Sequence, residues 1–182
     1  MTASQPLRKL RYSVAASLDG FIAGPRGECD WITPDPAFDF QAMFRGFDTM
    51  LIGRRTYEVM QTRGQSPKSM GLNAIVVSTT LDPVTNPDVT IIQDKLAEAV
   101  AALKAKPGKD IWLCGGAMLF RALADANLVD GVELAVMPIF IGSGVNVISE
   151  GRRIPLRLEK SESFANGMLW LKYSVILPDP AN

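Results

Sequence analysis

The chain has 182 residues, of which 19 are Lys or Arg, 19 are Asp or Glu and none is His, so its formal net charge is zero. This length suits one domain with its own core, and a hydrophobic share of 47% is that of a globular protein. The balanced charge excludes nucleic-acid binding through a broad basic surface. No apolar run approaches the roughly 18 residues of a membrane span, and the N-terminus lacks the apolar region of a signal peptide, so we expect a cytoplasmic protein.

The absence of histidine excludes more chemistry than any other feature of the sequence. It removes Ser-His-Asp and Cys-His nucleophiles, imidazole zinc sites and histidine acid–base catalysis. The two cysteines, Cys29 and Cys114, have no paired spacing, so we expect neither a disulfide framework nor a bound metal. Any catalysis must therefore use carboxylates, hydroxyls, water or a cofactor.

The N-terminal part of the chain predicts one strand, a loop and a short helix. The apolar run at residues 10–16 is typical of a strand, and an Asp-Gly pair closes it. Residues 21–23 lead into residues 24–27, a loop by its turn residues. After a break between two prolines, residues 37–44 predict a short helix.

The next part predicts three short strands around a helix and a loop. Residues 49–52 are continuously apolar, as in a buried strand. Residues 56–61 predict one or two helical turns, and residues 64–69 a polar loop. Two further strands follow at residues 74–77 and 89–92.

The remainder alternates helices and strands before a local pair of strands. Apolar residues at helical spacing predict helices over residues 94–104 and 117–126, with a strand at 111–114 between them. A strand at residues 132–137 and a glycine loop at 142–144 follow. The last predicted elements, residues 154–159 and 168–177, form a closing hairpin.

This order of elements indicates an α/β fold in one domain. Strands that alternate with helices predict a mostly parallel sheet with helices on both faces, and the local pairing at the end predicts an antiparallel edge. No internal repeat, low-complexity stretch or linker divides residues 1–182, and we expect an ordered core over about residues 7–177. Residues 1–6 and 178–182 are expected to be loose.

Four polar segments stand where predicted strands end, and this placement carries the functional argument. Ligands of open α/β sheets bind outside the carboxyl ends of the strands. The segments begin at Ser17, Gly53, Ser78 and Gly115. Together they supply glycines, hydroxyls and two guanidiniums, which are groups that a phosphorylated cofactor needs.

Gly115 and Gly116 follow one strand and open a helix. Glycines there let the backbone approach a phosphate, and a helix N-terminus presents free N–H groups. The alternative is an ordinary strand-to-helix turn, because Ala117 stands where the full dinucleotide fingerprint would continue.

Gly53, Arg54, Arg55 and Thr56 combine two guanidiniums and a hydroxyl at a helix start, which suits a pyrophosphate or a 2′-phosphate. The alternative is a pair of ordinary surface arginines. The hydroxyls that begin at Ser78 offer donors at a neighbouring strand end, although such groups commonly form a turn or cap.

Two acidic segments are candidates for contact with a substrate. Asp19 belongs to an Asp-Gly pair, whose usual role is a turn. Asp30 precedes Trp31, which is either a core residue or the roof of a ligand pocket with Asp30 as its polar anchor. Cys114 lies in an apolar strand and is expected to be a small core residue rather than a nucleophile.

Five motifs in order resemble the dihydrofolate reductase superfamily, and within it the reductase (C-terminal) domain of bacterial bifunctional riboflavin-biosynthesis enzymes. The motifs occupy residues 15–23 (AASLDGFIA), 51–58 (LIGRRTYE), 76–79 (VVST), 112–117 (WLCGGA) and 138–144 (PIFIGSG). The resemblance implies a three-layer α/β/α fold with a mixed, mostly parallel sheet of about eight strands and an antiparallel C-terminal edge.

The resemblance also implies NADPH as the cofactor and assigns residues to it. The first motif would flank the nicotinamide, the second and third would hold phosphates, and the fourth would form the pyrophosphate turn. The implied cofactor-binding residues are Ala15, Ala16, Ile22, Gly53, Arg54, Arg55, Thr56, Ser78, Thr79, Cys114, Gly115, Gly116, Ala117 and Leu119. The implied substrate-binding residues are Asp19, Asp30, Trp31 and Gly142.

Two departures from the family patterns bear on the substrate. The His- and Arg-rich helix that riboflavin-type reductases place before the second strand is replaced by residues 38–45 (FDFQAMFR). This replacement weakens the case for a ribose-phosphate pyrimidine. The Leu-Pro-x-Asp pattern of dihydrofolate reductases is also missing, and residues 34–39 (PDPAFD) only approximate it. The deaminase domain of the bifunctional enzymes is expected to be absent.

We therefore expect a stand-alone NADPH-dependent reductase that transfers hydride to a C=N or C=O of a small heterocyclic or sugar-linked substrate. A dihydrofolate reductase and a nucleotide-binding protein without turnover are the alternatives. The candidates for the proton donor are Asp19, Asp30 and Asp39, and we expect Asp30, because Trp31 could desolvate its carboxyl and raise its pKa. A bound water is the alternative to a carboxyl donor. A homodimer is expected, with the strand at residues 132–137 and the loop to Phe140 as its contact.

Overall fold

The computed structural model describes residues 7–178, and the expectation of loose ends at 1–6 and 179–182 lies outside them. The strands are β1 (Leu10–Ser17), β2 (Phe21–Ala23), β3 (Phe47–Gly53), β4 (Asn73–Val77), β5 (Thr90–Ile92), β6 (Asp110–Leu113), β7 (Gly131–Met137), β8 (Val145–Asn146), β9 (Leu156–Ser163) and β10 (Leu169–Val175). Eight of them form one sheet in the order β5-β4-β3-β6-β1-β7-β10-β9, and β2 pairs with β8 separately.

Helices cover both faces of this sheet. The helices are α1 (Phe40–Arg45), α2 (Arg54–Thr62), α3 (Leu96–Lys104) and α4 (Ala117–Asp125), with a 3-10 turn at Pro67–Met70. The helices α3 and α4 pack with Leu10 and Tyr12 of β1 in one core, while α2 packs with Met50 and Ile52 of β3 in the other. The predicted three-layer fold is confirmed.

The direction of the strands decides where a ligand can bind. All neighbouring strands from β5 to β7 run parallel, and β10 is antiparallel to both β7 and β9. The carboxyl ends of the parallel strands therefore meet at one edge, which we call the carboxyl edge. The predicted antiparallel C-terminal edge is present, because β9 and β10 form a hairpin there.

Two short elements lie outside the sequence prediction. The segment expected to be a polar loop contains the 3-10 turn, whose first residue is Pro67 and which Ser66 caps. The second is the pairing of β8 with β2, in which Val145 lies opposite Ala23. Two residues carry no detectable periodicity, so sequence pattern has no means of finding β8. Gly144 precedes it at φ +155, and a Cβ there would overlap the Ala23 carbonyl.

Candidate functional site

The turns after β3 and β6 lie side by side at the carboxyl edge. The Gly53 N–H donates to the Gly115 carbonyl oxygen at 3.0 Å. The Thr56 hydroxyl oxygen lies 3.7 and 3.9 Å from the places where Cβ atoms on Gly115 and Gly116 would stand. Gly115 has φ +121, which favours glycine, and its peptide bond to Gly116 is cis. The two motifs that the sequence placed on different strands thus form one surface.

This surface contains the N-termini of two helices. Gly53 is the N-cap of α2 and Gly116 is the N-cap of α4, and neither helix has a side-chain capping hydrogen bond or an acidic residue in its first turn. The first N–H groups of both helices therefore lack intrahelical partners, and each N-terminus carries a partial positive charge. Two such N-termini in contact suit the two phosphates of a dinucleotide.

The two arginines of the first helix have different environments. The Arg54 guanidinium is ion-paired with Glu58 at 2.7 Å, one turn further along α2. Arg55 is exposed, and within residues 7–178 it has no ion-pair partner. Arg55 is therefore the guanidinium that is free to meet a phosphate, while Arg54 would first have to leave Glu58.

The turn after β4 uses its first hydroxyl internally. Ser78 is buried, and its hydroxyl oxygen accepts hydrogen bonds from the N–H groups of Thr80 and Leu81 at 3.1 and 2.9 Å. The Ser78 hydroxyl thus closes a turn, which is the alternative to a role as a phosphate donor. Thr79 is exposed at the same strand end, and its hydroxyl is open to a ligand.

The other residues assigned to the cofactor lie at or below the carboxyl edge. Ala15 and Ile22 are half-buried, whereas Ala16 is buried. The Leu119 side chain packs in the core that α4 shares with β1, so only its backbone, at the third position of α4, is available to a ligand. Ala117 is the first residue of that helix.

Cys114 carries an enclosed thiol. Its backbone N–H donates to the Leu51 carbonyl, and burial raises the pKa of the thiol to about 12. A thiol with this pKa stays protonated at neutral pH and is a poor nucleophile. Cys114 can contribute its backbone to the site, as the expectation of a small core residue requires.

Asp19 joins the turn after β1 to the loop after β7. Its carboxylate accepts a hydrogen bond from the Ser17 hydroxyl at 2.6 Å and from the Gly142 N–H at 2.8 Å, with longer bonds from Ile141. The Ser17 hydroxyl, followed by these backbone N–H groups, holds the pKa of Asp19 below its ordinary value. Asp19 is therefore ionised at neutral pH, and its hydrogen bonds hold the turn after β1 against the loop that contains Gly142.

Asp30 and Trp31 do not have the environment that their sequence suggests. Asp30 is exposed, so the expected desolvation by Trp31 is not found. Trp31 is half-buried, and its indole N–H donates to the Glu28 carbonyl at 3.2 Å within the same loop. For Trp31 to cover the Asp30 carboxyl, the two side chains would have to pack against each other. In this loop Asp30 faces solvent instead.

Asp35 is a buried carboxylate whose role the sequence did not indicate. It is 6% exposed and accepts hydrogen bonds from the N–H groups of Ala37 and Asn166 at 2.9 and 3.0 Å. The residue ties the loop before α1 to the turn between β9 and β10. Each of its two oxygens accepts one hydrogen bond within the fold. Asp39 caps α1 by accepting from the Ala42 N–H and is exposed.

A second group of charges lies around β7 and β10, beside cavities of about 400 and 570 Å³, and Phe38 and Asp39 also line the smaller cavity. Glu133 is 1% exposed and ion-paired with Arg11 at 2.7 Å, with Lys172 at 3.6 Å. The Arg11 guanidinium also lies over the Phe47 ring at 4.1 Å. Asp110 also lies 3.1 Å from the Arg11 guanidinium, so two carboxylates balance two cations here, and we interpret these charges as part of the fold.

The expected strand contact of a dimer is wrong in one respect. The strand β7 lies between β1 and β10, so both of its edges are paired, and Val132 and Met137 are buried. A strand expected at a contact is therefore inside the sheet. Phe140, in the loop after β7, is 71% exposed and remains available.

Among residues 7–178, no cluster of three His, Cys, Asp or Glu side chains could hold a metal ion. In the same part of the chain no helix is long and apolar enough to cross a membrane. The cysteines Cys29 and Cys114 are both free thiols.

Comparison with known proteins identifies relatives over nearly the whole chain. The family model of the RibD C-terminal domain matches residues 8–170. The uncharacterized protein YyaP of Bacillus subtilis is 31% identical over 185 residues, which cover 95% of this chain and 98% of that protein. The riboflavin biosynthesis protein RibD of Corynebacterium ammoniagenes is 26% identical over 74% of this chain, which corresponds to 44% of that longer protein.

Solved structures give the same relationship. A protein from Shewanella sp. PV-4 assigned to riboflavin biosynthesis has a TM-score of 0.79 and 26% identity, covering 93% of this chain and 99% of that one. A deaminase/5-amino-6-(5-phosphoribosylamino)uracil reductase from Thermotoga maritima has a TM-score of 0.71 and 17% identity, covering 93% of this chain and 57% of that one. The latter similarity concerns the fold alone.

Proposed function

The chain belongs to the RibD C-terminal domain family, and we propose that it is an NADPH-dependent reductase that acts on a C=N or C=O of a small heterocyclic or sugar-linked substrate. The family is that of the reductase domain of riboflavin biosynthesis, so oxidoreductase chemistry is the starting expectation. Beyond the family, we propose the cofactor, the place where its phosphates bind and the residues that would hold it.

One observation carries the proposal: two helix N-termini without side-chain caps touch at the carboxyl edge, with Arg55 beside them. Gly53 and Gly116 bring backbone N–H groups toward a diphosphate, and no carboxylate in the first turn of either helix opposes it. Arg55 and Thr79 are the accessible groups for a further phosphate, such as the 2′-phosphate of NADPH.

The bound cofactor would supply the hydride, and the protein would supply orientation and electrostatics. Ala15 and Ala16 at the end of β1 would form the floor under the nicotinamide. Asp19 would hold the turn after β1 against Gly142, and so keep the two loops at the mouth of the site together. Its ionised carboxylate already accepts hydrogen bonds, which makes it a positioning group and not a source of protons.

Asp30 remains our candidate for the proton that must accompany hydride transfer, with solvent water as the alternative. Its carboxyl is exposed and has no hydrogen-bond partner within residues 7–178, so it can turn toward a bound substrate. Asp30→Asn is expected to lower turnover without weakening NADPH binding. The matched control is Asp39→Asn, at a second exposed carboxylate whose capping role an amide can retain. If Asp30→Asn keeps full turnover, water is the donor.

Cofactor titration tests the central claim. A charge-assisted contact to the 2′-phosphate contributes roughly 1.5–3 kcal/mol, which is about 10- to 150-fold in affinity for NADPH over NADH. Titration of both cofactors against intrinsic tryptophan fluorescence measures this ratio. Arg55→Ala should remove most of the preference, whereas Arg54→Ala, which loses a guanidinium already paired with Glu58, should change it less. Equal affinities of the wild type for both cofactors would refute the phosphate assignment.

Steady NADPH oxidation with a substrate panel separates a reductase from a nucleotide-binding protein without turnover. A homodimer remains part of the proposal, in line with the prevalence of symmetric dimers among soluble oligomers. Light scattering should then give about twice the chain mass of 19.8 kDa, and the mass of a single chain at all concentrations would argue against it.

A further inference from the structure

The helix α1 packs on the core around β3 and contacts β1 through Met43 and Gly46, and these two contacts orient its N-terminus toward the carboxyl edge. Gly46, which ends the helix, lies against the Arg11 guanidinium, and the Ser13 hydroxyl contacts the Met43 sulfur at 3.7 Å. A helix rises about 1.5 Å per residue and a strand about 3.3 Å, so the next helical turn toward Phe40 advances little more than one strand residue beyond Ser13. Phe40 therefore stands over the carboxyl half of β1, next to the floor proposed for the nicotinamide.

The segments that surround this part of the edge contain no cation. Residues 12–25 have Asp19 as their single charge, and residues 29–44 contain Asp30, Asp35 and Asp39 but neither Lys nor Arg. Residues 138–149, which include the loop after β7, contain no charged residue at all. The cations of the carboxyl edge are thus concentrated at the start of α2, on the side proposed for the cofactor phosphates.

Cations approach the substrate side from outside these segments, and each of them has a partner. Arg45, which directly follows residue 44, is ion-paired with Asp39 at 3.5 Å. Lys160, which lines a cavity beside Phe38, is ion-paired with Glu162 at 2.7 Å.

Two further arginines also have partners. Arg26 is ion-paired with Glu28 at 2.7 Å. Arg63, beyond the end of α2, donates a hydrogen bond to the Gly27 carbonyl at 3.4 Å. None of these four cations belongs to the turns of β1 or β7 that border the proposed nicotinamide position.

The same mouth exposes large apolar side chains. Leu18 is 55% exposed and Phe140 is 71% exposed, and their loops are joined by a hydrogen bond from the Leu18 N–H to the Ile139 carbonyl at 2.8 Å. Phe40 is 40% exposed and lies 4.7 Å from the Phe38 ring, centroid to centroid. Exposed apolar groups beside the proposed nicotinamide position favour a planar apolar ligand.

We infer that the substrate of this reductase is a planar, unphosphorylated heterocycle, uncharged or cationic, and not a phosphoribosyl compound. This inference rests on the proposed function and on its site. A phosphate on the substrate would meet no guanidinium or ammonium in the turns after β1 and β7, and it would face the carboxylates of Asp19 and Asp30. A neutral ring carries no charge that needs a partner in the site, and it would pack against Phe40 and Phe140.

A matched pair of substrates tests the inference. The two probes are 5-amino-6-(5-phosphoribosylamino)uracil, the compound named for the Thermotoga maritima enzyme, and the same compound after phosphatase treatment. Binding to the NADPH-loaded protein is measured by calorimetry, and turnover by NADPH oxidation. We expect the dephosphorylated probe to bind at least about tenfold more tightly, because the phosphate would lose hydration in the site without gaining a charge-assisted contact.

Variants that place a cation near the mouth make the test sharper. Phe40→Arg should shift the binding ratio toward the phosphorylated probe by about tenfold, while Phe40→Leu should leave the ratio unchanged. Val84→Arg adds the same charge at an 84% exposed position in the loop before β5 and serves as the control for net charge. A shift of the binding ratio with Phe40→Arg, but not with Phe40→Leu or Val84→Arg, supports the assigned position of α1.

The failures of the two claims are distinguishable. If NADPH does not bind, the proposed function fails. If NADPH binds and the phosphorylated probe binds as well as its dephosphorylated form or better, the inference is overturned while the proposed function stands. If neither probe binds, a panel of unphosphorylated pteridines and quinones is measured in the same way, and the absence of binding by every member also overturns it.

Discussion

Replacement of Gly53 by aspartate should separate folding from cofactor binding. Gly53 is the N-cap of α2 at φ −78 and ψ 157, a conformation open to all residues, and a Cβ there meets no atom closer than 3.8 Å. Aspartate is a better N-cap than glycine by a few tenths of a kcal/mol, and a carboxylate at a helix N-terminus adds about 0.3–1 kcal/mol. Gly53→Asp should therefore keep or slightly raise the free energy of unfolding.

The same carboxylate should oppose NADPH. For a phosphate charge about 6 Å from the new carboxylate, the repulsion is roughly 2.8 kcal/mol at an effective dielectric constant of 20 and roughly 0.7 kcal/mol at 80. The dissociation constant for NADPH should thus rise about threefold to a hundredfold from charge alone. The new side chain also competes for N–H groups of the first helical turn, which adds to the loss.

Gly53→Asn is the control for this experiment, because it has nearly the same shape and capping ability without the charge. NADPH binding is measured by fluorescence titration at low and high salt, and unfolding is measured in urea for all three proteins. We expect Asp to bind NADPH more weakly than Asn, with a difference that shrinks as salt rises. Equal dissociation constants for Asp and Asn, in proteins of equal stability, would refute the proposal that anionic phosphates lie at these helix N-termini.

Two further predictions follow from the titratable groups. Because the folded-state pKa of Asp19 is depressed, its ionised form stabilises the fold at neutral pH, and this contribution should begin to fall below the ordinary value of 3.8 and be lost as pH passes the folded pKa. Urea unfolding should show wild type losing stability relative to Asp19→Asn only in that acid range, and a constant difference at every pH would contradict the assignment. Because burial raises the pKa of Cys114 to about 12, a thiol reagent at mildly alkaline pH should label Cys29 in the folded protein and both cysteines after unfolding. Mass spectrometry would count the adducts, and rapid labelling of Cys114 in the folded state would show that its thiol is accessible.

Local pattern in the chain was sufficient for the architecture. Buried parallel strands are continuously apolar, and turn residues punctuate them, so β1, β3, β4 and β6 could be predicted with ends that differ from the structure by no more than two residues. The order of the five motifs also identified the family, because glycines and arginines at the ends of strands lie where ligands bind in an open α/β sheet. The same reasoning placed Gly53 and Gly115 at one edge, since parallel strands have their carboxyl ends together.

The roles of individual polar side chains depended on partners that are distant in the chain. The Ser17 hydroxyl, two residues away, is the largest cause of the lowered pKa of Asp19, but the role of Asp19 in joining two loops depends on Gly142 across the fold, as the hydrogen bonding of Asp35 depends on Asn166. Asp30 shows the opposite case: an adjacent tryptophan predicted desolvation, and the loop leaves the carboxyl in solvent. Adjacency in sequence determines neither burial nor hydrogen bonding in a loop, because both depend on which other segments pack against it. For the same reason β7 is central in the sheet although its sequence is equally suited to an interface strand.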